Sequence, residues 1–523
     1  MRNLARFALS VLGYNHVDLY TGVSQTPFEV HAPSKRIAII GAGTGGISML
    51  KTIMGDLPEE AREGWEVVIY EQRNDIGGIW LPDPDPPYPP LLPETPLYER
   101  LMTNAPHPSM TIPHLPFRPG TALYPHHPYI LQYHRDIVDR WDLSSYINLN
   151  QEVVETVWTG TPDEGRWFVK VRDRRLNKTL DSYFDHLVVA SGHNHFPHQP
   201  HIQGCEQWIA GSPNRTVLHS VYYRRPEEYE GRNVIVVGAG ASGRDLAQQI
   251  VGYANSTYVS IKSEMPDIPF PIIPGAGVKG PISRFTPHGV VFNDDSALTH
   301  IDCVVFATGY EYRFPFLTAG GHLEVVNQQH SEERLSTNLR RVYPIYEHVL
   351  SLDSSYPLGA LYFVGLPTLV DHAIADTAQT LFAAYTLAYP DLLISRQEFL
   401  AELHKDETSQ RADGHDPSYI GHRIIRPGGA TAYQDMLVGY LQQRGLGGQA
   451  GIPRGRKFTE QWRDDSIKNR HILRKAWLRV EQGGQESERR WLKGVATEED
   501  WADMMARLVH WEQEIEQAET EHS

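Results

Sequence analysis

A strand running into G-x-G-x-x-G and then a helix occurs twice in this 523-residue chain. The first copy is Arg36 to Ile40 followed by Gly41, Gly43 and Gly46; the second, NVIVVGAGASGRDLAQQI from Asn233, carries Gly238, Gly240 and Gly243. A short apolar run in this setting reads as a buried parallel strand, and each glycine has its own task where that strand becomes a helix. The first allows the tight turn, the second lets a pyrophosphate approach the backbone, and the third lets the helix pack close to the sheet. The helix N-terminus adds N–H donors and the positive end of its dipole. Two such folds in one chain mean two dinucleotides.

The strands that follow the two helices end differently. Glu66 to Tyr70 (EVVIY) leads into Glu71, a carboxylate that can accept both hydroxyls of an unphosphorylated adenosine ribose. The gap from Gly46 to Glu71 exceeds the usual ~20 residues, and Gly55 to Gly64 reads as the polar insertion responsible. Thr257 to Ile261 ends instead in Lys262 and Ser263, an ammonium and a hydroxyl that suit a ribose 2′-phosphate. NADPH is therefore expected at the second motif, with nearby Glu264 keeping NADH open.

The totals narrow the field. A net charge of -16 argues against nucleic acid or an anionic membrane surface as a main partner. The two cysteines, Cys205 and Cys303, are far apart and form no C-x-x-C, which excludes a disulfide framework, a cysteine zinc site and a dithiol redox centre and fits a reducing, cytoplasmic compartment. No stretch is long and apolar enough to span a bilayer. Leu4, Phe7, Ala8, Val11 and Leu12 share one helical face beside Arg2 and Arg6; docking on the body is its plain reading and a peripheral membrane contact the sharper one.

Between the motifs, residues 82 to 96 carry eight prolines and must lie irregularly over the body. A helix is expected over Ile130 to Leu143, strands over Tyr146 to Val171 and His186 to Ala190, then an exposed connector, GHNHFPHQPHI. Its histidines 193, 195, 198 and 201 match no standard metal spacing. Asp302 to Tyr310 reads as a strand closing the second fold, Leu361 to Pro367 as one more strand and Asp376 to Ala388 as a helix. Beyond about residue 400 the chain turns to charged helices. Thr497 with Asp500 makes a capping box for a helix whose Trp501, Met504, Met505, Leu508 and Trp511 form a packing face.

With these elements in place the chain resembles the flavin-containing monooxygenases. The matching elements are the first glycine motif with Glu71, Gly77-Gly78-Ile79-Trp80, Thr103-Asn104, Ala190-Ser191-Gly192, the second glycine motif with Ser242 and Asp245, and Phe306 to Tyr310 (FATGY). The family's motif F-x-G-x-x-x-H-x-x-x-(Y/F/W) reads here as Trp208, Gly211, His219 and Tyr223, with Trp for Phe and additional residues before His219. Tyr at the last position resembles the amine and sulfide oxygenases rather than the Baeyer–Villiger branch. Ser191 stands for the usual Thr, and His107 for a common Lys.

The resemblance implies an α/β architecture of two dinucleotide-binding Rossmann-like domains. The NADPH domain (206–315) would be inserted into a discontinuous FAD domain (35–205 and 316–400), with an N-terminal extension (1–34) and a helical C-terminal extension (401–523). It implies an FAD-dependent NADPH:oxygen monooxygenase of the N,N-dimethylaniline monooxygenase type, which uses NADPH and O2 to form a C4a-hydroperoxyflavin and oxygenates an amine nitrogen or sulfide sulfur of a small molecule. Gly41, Ala42, Gly43, Thr44, Gly45 and Gly46, with Glu71, Gly78, Ile79 and Trp80, would bind FAD. Thr103, Asn104 and Ala105 would lie between the cofactors, and the Asn104 amide, a two-way hydrogen bonder, would be catalytic. Gly238, Gly240, Ala241, Ser242, Gly243, Arg244 and Asp245, with Lys262 and His219, would bind NADPH. No metal is required.

Alternatives within the class are a Baeyer–Villiger or N-hydroxylating enzyme; outside it, a flavin-binding protein without turnover whose tail is an interaction module. A thioredoxin-reductase-like enzyme needs paired cysteines that this chain lacks. The tail has three roles open to it: covering the site, forming a homodimer contact, or extending the core.

Overall fold

The computed structural model describes residues 34–262, 273–327 and 331–521. The amphipathic N-terminal segment, Ser263 and Glu264 lie outside the described residues. Strand β1 (Lys35–Ile40) runs through Gly41 into helix α1 (Thr44–Lys51), and β2 (Trp65–Glu71) returns parallel to β1. On its other edge β1 pairs in parallel with His186–Val189, and its apolar run is covered on both faces, Ile37 and Ile39 packing into one core and Ala38 and Ile40 into another. Leu361–Phe363 pairs in parallel with His186–Val189 from far along the chain, and Ile147–Leu149 and the Ile345–Tyr346/Leu350–Ser351 hairpin complete the seven-stranded sheet.

The second motif builds an all-parallel sheet of five strands. Strand β3 (Asn233–Val237), helix α2 (Ala241–Ile250) and β4 (Ser256–Ser260) repeat the first arrangement, and Cys303–Phe306, Thr216–His219 and Ala276–Lys279 join them. The expected 302–310 strand is thus only Cys303–Phe306, and the 361–367 strand only Leu361–Phe363. Two antiparallel sheets flank these. One adds Lys178–Phe184, a mostly exposed edge strand without apolar alternation, to Gln151–Gly160 and Gly165–Asp173.

The 130–143 helix is His127–Arg140, with Pro128 in its first turn, where a missing N–H costs nothing. Helix α3 (His372–Ala388) starts four residues earlier than expected and is almost wholly buried. The histidine connector is not uniformly exposed. His193 is buried and stacks on Tyr312 at 4.5 Å, and His198 Nδ1 lies 3.3 Å from Glu311, while His201 is exposed. Among the described residues no helix is long and apolar enough to cross a membrane.

The C-terminal helices pack into the body. Tyr433, Leu437, Val438 and Leu441 of Gly429–Leu441 join the core that holds α1 and α3. Helix α4 (Glu498–Glu521) begins in the expected capping box, Asp500 N donating to Thr497 Oγ1 at 3.2 Å and Thr497 N to Asp500 Oδ2 at 2.9 Å. Trp501, Met504, Met505 and Leu508 pack on Leu473, Trp477 and Val480 and on Leu123 and Tyr124 of the body. The fifth buried position is Glu512 rather than Trp511: its carboxylate meets Lys475 at 3.1 Å and Arg479 at 3.0 Å, while Trp511 is half-buried beside Trp491.

Arg463 fastens this region to the body. Its guanidinium, 1% exposed, donates to the Pro108 carbonyl at 2.9 Å, Thr111 Oγ1 at 3.1 Å, Glu498 at 2.8 Å and Glu460 at 2.9 Å. Arg463→Ala would leave two partly buried carboxylates without their cation, a loss of about 3–5 kcal/mol. A lowered melting temperature and faster hydrogen exchange over 104–124 and 498–508 are expected. Unchanged exchange in both stretches would contradict this fastening.

Candidate functional site

The two glycine turns have matching geometry. Gly41 and Gly238 adopt φ of +101° and +114°, and a Cβ on them would lie 2.7 Å from the Ala190 carbonyl oxygen and 2.4 Å from that of Ala307. A Cβ on Gly46 would sit 1.9 Å from the Gly41 carbonyl oxygen, and one on Gly243 2.1 Å from that of Gly238. The third glycine therefore closes each helix onto its own turn. The middle glycines differ: a Cβ on Gly43 would meet only the Gly78 backbone, its Cα at 3.5 Å and its N at 3.9 Å, and one on Gly240 nothing within 4 Å. The chain's own packing demands the outer glycines and not the middle ones.

Neither Gly43 nor Gly240 caps its helix with a side chain, so the first N–H groups of α1 and α2 face the open side of each turn. That combination fits an anionic group held by backbone N–H donors. Beside the first turn, buried Glu71 accepts from Ala42 N with one carboxylate oxygen and from Arg73 N with the other, each at 2.8 Å. Burial raises its pKa, and the two N–H groups oppose that. Each oxygen keeps a lone pair for a further donor. Thr44 Oγ1 lies 3.1 Å from His134 Nε2, and Gly45 packs on Val364.

Arg73 leaves no mark in the sequence as a site residue, yet it shapes the loop that carries Gly78, Ile79 and Trp80. Its guanidinium donates to the carbonyls of Gly78 (3.1 Å), Leu81 (2.8 Å) and Pro82 (2.7 Å). Thr95 Oγ1 donates to the Ile79 carbonyl at 2.6 Å, which leaves the Ile79 side chain outward, 38% exposed, with Trp80 half-buried.

The Thr103–Ala105 stretch is pinned at both ends, Thr103 N to the Pro125 carbonyl at 3.0 Å and His107 N to the Leu123 carbonyl at 2.9 Å. From Thr103 to Ser109 only Asn104 is exposed, and its amide has no hydrogen-bond partner among the described residues. Thr103 Oγ1 beside it is buried and without a hydrogen-bond partner among the described residues. His107, in the place of a common Lys, is buried 4.4 Å from the Trp501 ring and 4.5 Å from Phe117, an apolar setting that an ammonium would not tolerate.

At the second turn two residues are held by side-chain hydrogen bonds within the chain. Asp245 accepts hydrogen bonds from Tyr98 Oη and, at 3.0 Å, from Gln249 Nε2. Gln249 in turn accepts from Tyr223 Oη at 2.9 Å, and the Tyr98 and Tyr223 rings meet edge-on at 5.0 Å. His219 is 1% exposed and spends both ring nitrogens on the chain. Nδ1 accepts from Val221 N at 3.1 Å, so Nε2 carries the proton and donates to the Gly309 carbonyl at 3.0 Å. These two bonds tie it to the Val221 backbone and the Gly309 turn.

The additional residues after Gly211 form a surface turn, Arg215 N donating to the Ser212 carbonyl at 3.1 Å, and leave Trp208, His219 and Tyr223 buried. Ala241 is exposed and Ser242 and Arg244 half-buried at the start of α2; the Arg244 guanidinium has no partner among the described residues, and Lys262 is exposed just past β4.

Burial lowers His219 and His134 to about 4 and His107 and His193 to about 3. These rings are neutral in the folded chain and take up protons more readily once it unfolds. The stability they carry is complete above about pH 6.5 and is lost as pH falls toward 4. The melting temperature is expected to be lower at about pH 5 than at about pH 7.5; an equal or higher value at the acidic pH would show that these rings do not govern acid stability.

Against known proteins, the model of the flavin-binding monooxygenase-like family matches residues 34–265 and 262–333. The flavin-containing monooxygenase FMO GS-OX3 of Arabidopsis thaliana is 30% identical over 362 residues, 66% of this chain and 71% of that protein. FMO GS-OX5 of the same plant is 26% identical over 459 residues, 84% of this chain and 89% of the relative. Among solved structures, S-allyl-L-cysteine S-oxygenase from Allium sativum superposes with a TM-score of 0.68 at 23% identity, covering 92% of this chain and 99% of that one. Tmm from a Pelagibacter species superposes with a TM-score of 0.65 at 20% identity, covering 85% and 91%. On the matched family model and these relatives, the chain belongs to the flavin-binding monooxygenase-like family.

Proposed function

We propose that this monooxygenase binds FAD at the Gly41 turn and NADPH at the Gly238 turn and transfers one atom of O2 to a soft nucleophile, a thioether sulfur ahead of an amine nitrogen. The observation that carries the reading is the bridge between the turns. The segment bearing Asn104 is joined to the Ile79 loop through Thr95 and to α2 through Tyr98 and Asp245. One exposed amide is thereby held in fixed relation to both turns. The preference for sulfur is supported by the S-oxygenase named above, which shares the fold.

Bound FAD would supply the acceptor for the NADPH hydride and the atom at which O2 is activated. The chain does the rest. The N-termini of α1 and α2 hold the two pyrophosphates, Glu71 accepts ribose hydroxyls, and the Arg73-shaped loop places Ile79 and Trp80 against the flavin. Asn104 offers N–H₂ and C=O together, so it can accept from one group and donate to another as the proton inventory changes during turnover. Buried Thr103 and Ala105 anchor the chain on either side of it.

The test is turnover with NADPH, a dialkyl sulfide and isotopically labelled dioxygen, with a tertiary amine in parallel. Labelled sulfoxide is the expected product. NADPH oxidation with no label in either product would sink the monooxygenase reading, and label in the N-oxide alone would reverse the order of substrates.

A further inference from the structure

Three cations converge on one aromatic ring. The charged groups of Arg340, Arg423 and Lys262 lie 5.0, 5.8 and 5.9 Å from the centroid of the Tyr419 ring. None of the three has a carboxylate partner among the described residues. Their sequence neighbours do: Arg341 meets Glu407 at 2.6 Å and Arg426 meets Glu347 at 2.7 Å. In a chain of net charge -16, three cations around a single ring with no carboxylate partner among the described residues are a cluster suited to an anion.

The cluster is built by folding rather than by loose side chains meeting at a surface. Tyr419 belongs to the short helix Pro417–Ile420, and Gly421 after it, at φ +69°, approaches so closely that a Cβ would lie 2.3 Å from the Arg340 carbonyl oxygen. Asn338 ties the two segments together, its Nδ2 donating to the Ser418 carbonyl at 3.1 Å and its Oδ1 accepting from Arg340 N at 3.0 Å. Thr368 N donates to the His422 carbonyl at 2.9 Å, which fixes the backbone beside Arg423. Lys262 comes from a distant part of the chain, two residues past β4. In a dinucleotide fold the end of this second strand is where the adenosine ribose presents its 2′ position.

We propose that Arg340, Arg423 and Lys262, gathered around Tyr419, bind the 2′-phosphate of NADPH, so that residues outside the second parallel sheet set the cofactor preference. This rests on the reading of the Gly238 turn as a nucleotide site. A phosphate monoester is close to a dianion at neutral pH and needs more than the single ammonium of Lys262. Two guanidinium forks supply the charge and the planar, bidentate donors that match phosphate oxygens. A free phosphate or phosphorylated metabolite offers the same chemistry and is separated by the experiment.

Calorimetric titration of the FAD-loaded full chain with adenosine 2′,5′-bisphosphate, adenosine 5′-phosphate and inorganic phosphate tests this. The bisphosphate is expected to bind about 100-fold more tightly than the monophosphate. Arg340→Ala and Arg423→Ala should each cost about 10-fold for the bisphosphate and leave the monophosphate unchanged. Lys262→Ala, on an exposed side chain that cannot disturb folding, should move in the same direction. The ratio of kcat/KM for NADPH over NADH should fall in step. The proposal is overturned if these variants keep full discrimination, or if inorganic phosphate displaces the bisphosphate at matching concentration, which would mark a free-anion site. If neither nucleotide binds the unaltered chain, the NADPH reading of the second turn falls as well; if both bind it equally well, only the 2′-phosphate assignment falls.

Discussion

Asn104→Ala is expected to keep consuming NADPH and O2 while yielding about 100-fold less oxygenated product, the missing oxygen appearing as H2O2. The size follows from the place of the amide. It is the single exposed side chain between Thr103 and Ser109, it has no competing partner among the described residues, and the backbone beneath it is fixed by Thr103 N and His107 N. A preorganised donor of this kind contributes roughly 10²–10³ to a rate when it meets charge that develops during reaction. Because the side chain supports nothing else in the fold, the melting temperature and flavin content should not change. Asn104→Asp keeps the shape but loses both N–H donors and brings a negative charge, so it should uncouple at least as severely. Full coupling of NADPH oxidation to product in the alanine variant would remove Asn104 from the chemistry.

What the sequence makes legible here is what acts over short range. Gly41 and Gly46 constrain each other across five residues, and the positive φ and the carbonyl contact that demand them belong to one turn. The capping box of α4 and the buried run of β1 are equally local. The missed features act at a distance and mostly through carbonyl oxygens, which every residue has and no side-chain pattern advertises. Arg73 organises its loop by three carbonyls, and Arg463 reaches Pro108 and Thr111 from the far end of the chain. Asp245 is expected among the NADPH-binding residues only through the family resemblance, and nothing local to its sequence shows that the Tyr98 hydroxyl donates to its carboxylate, a pairing over 147 residues. Trp511 looked like the end of a packing stripe on hydrophobicity alone, and Glu512 took that position because Lys475 and Arg479 neutralise it there.

The same substitution made in the two glycine turns should separate the two cofactors. Gly46→Ala places a methyl group 1.9 Å from the Gly41 carbonyl oxygen, and Gly243→Ala places one 2.1 Å from that of Gly238, so in each case helix and turn must part. Such overpacking costs about 1–3 kcal/mol, and here the strain falls on the N–H groups that are to receive a pyrophosphate. Gly46→Ala is expected to purify without flavin. Gly243→Ala should retain FAD and be reduced normally by dithionite, while its affinity for NADPH drops about 10- to 100-fold. Gly240→Ala separates ligand contact from fold: nothing lies within 4 Å of its added Cβ, and its backbone is in the ordinary extended region. It should therefore leave stability untouched and still weaken NADPH binding, because the methyl group occupies the face that the dinucleotide must approach. If Gly240→Ala binds NADPH as well as the unaltered chain does, the pyrophosphate does not lie against this turn, and the second G-x-G-x-x-G serves the fold alone.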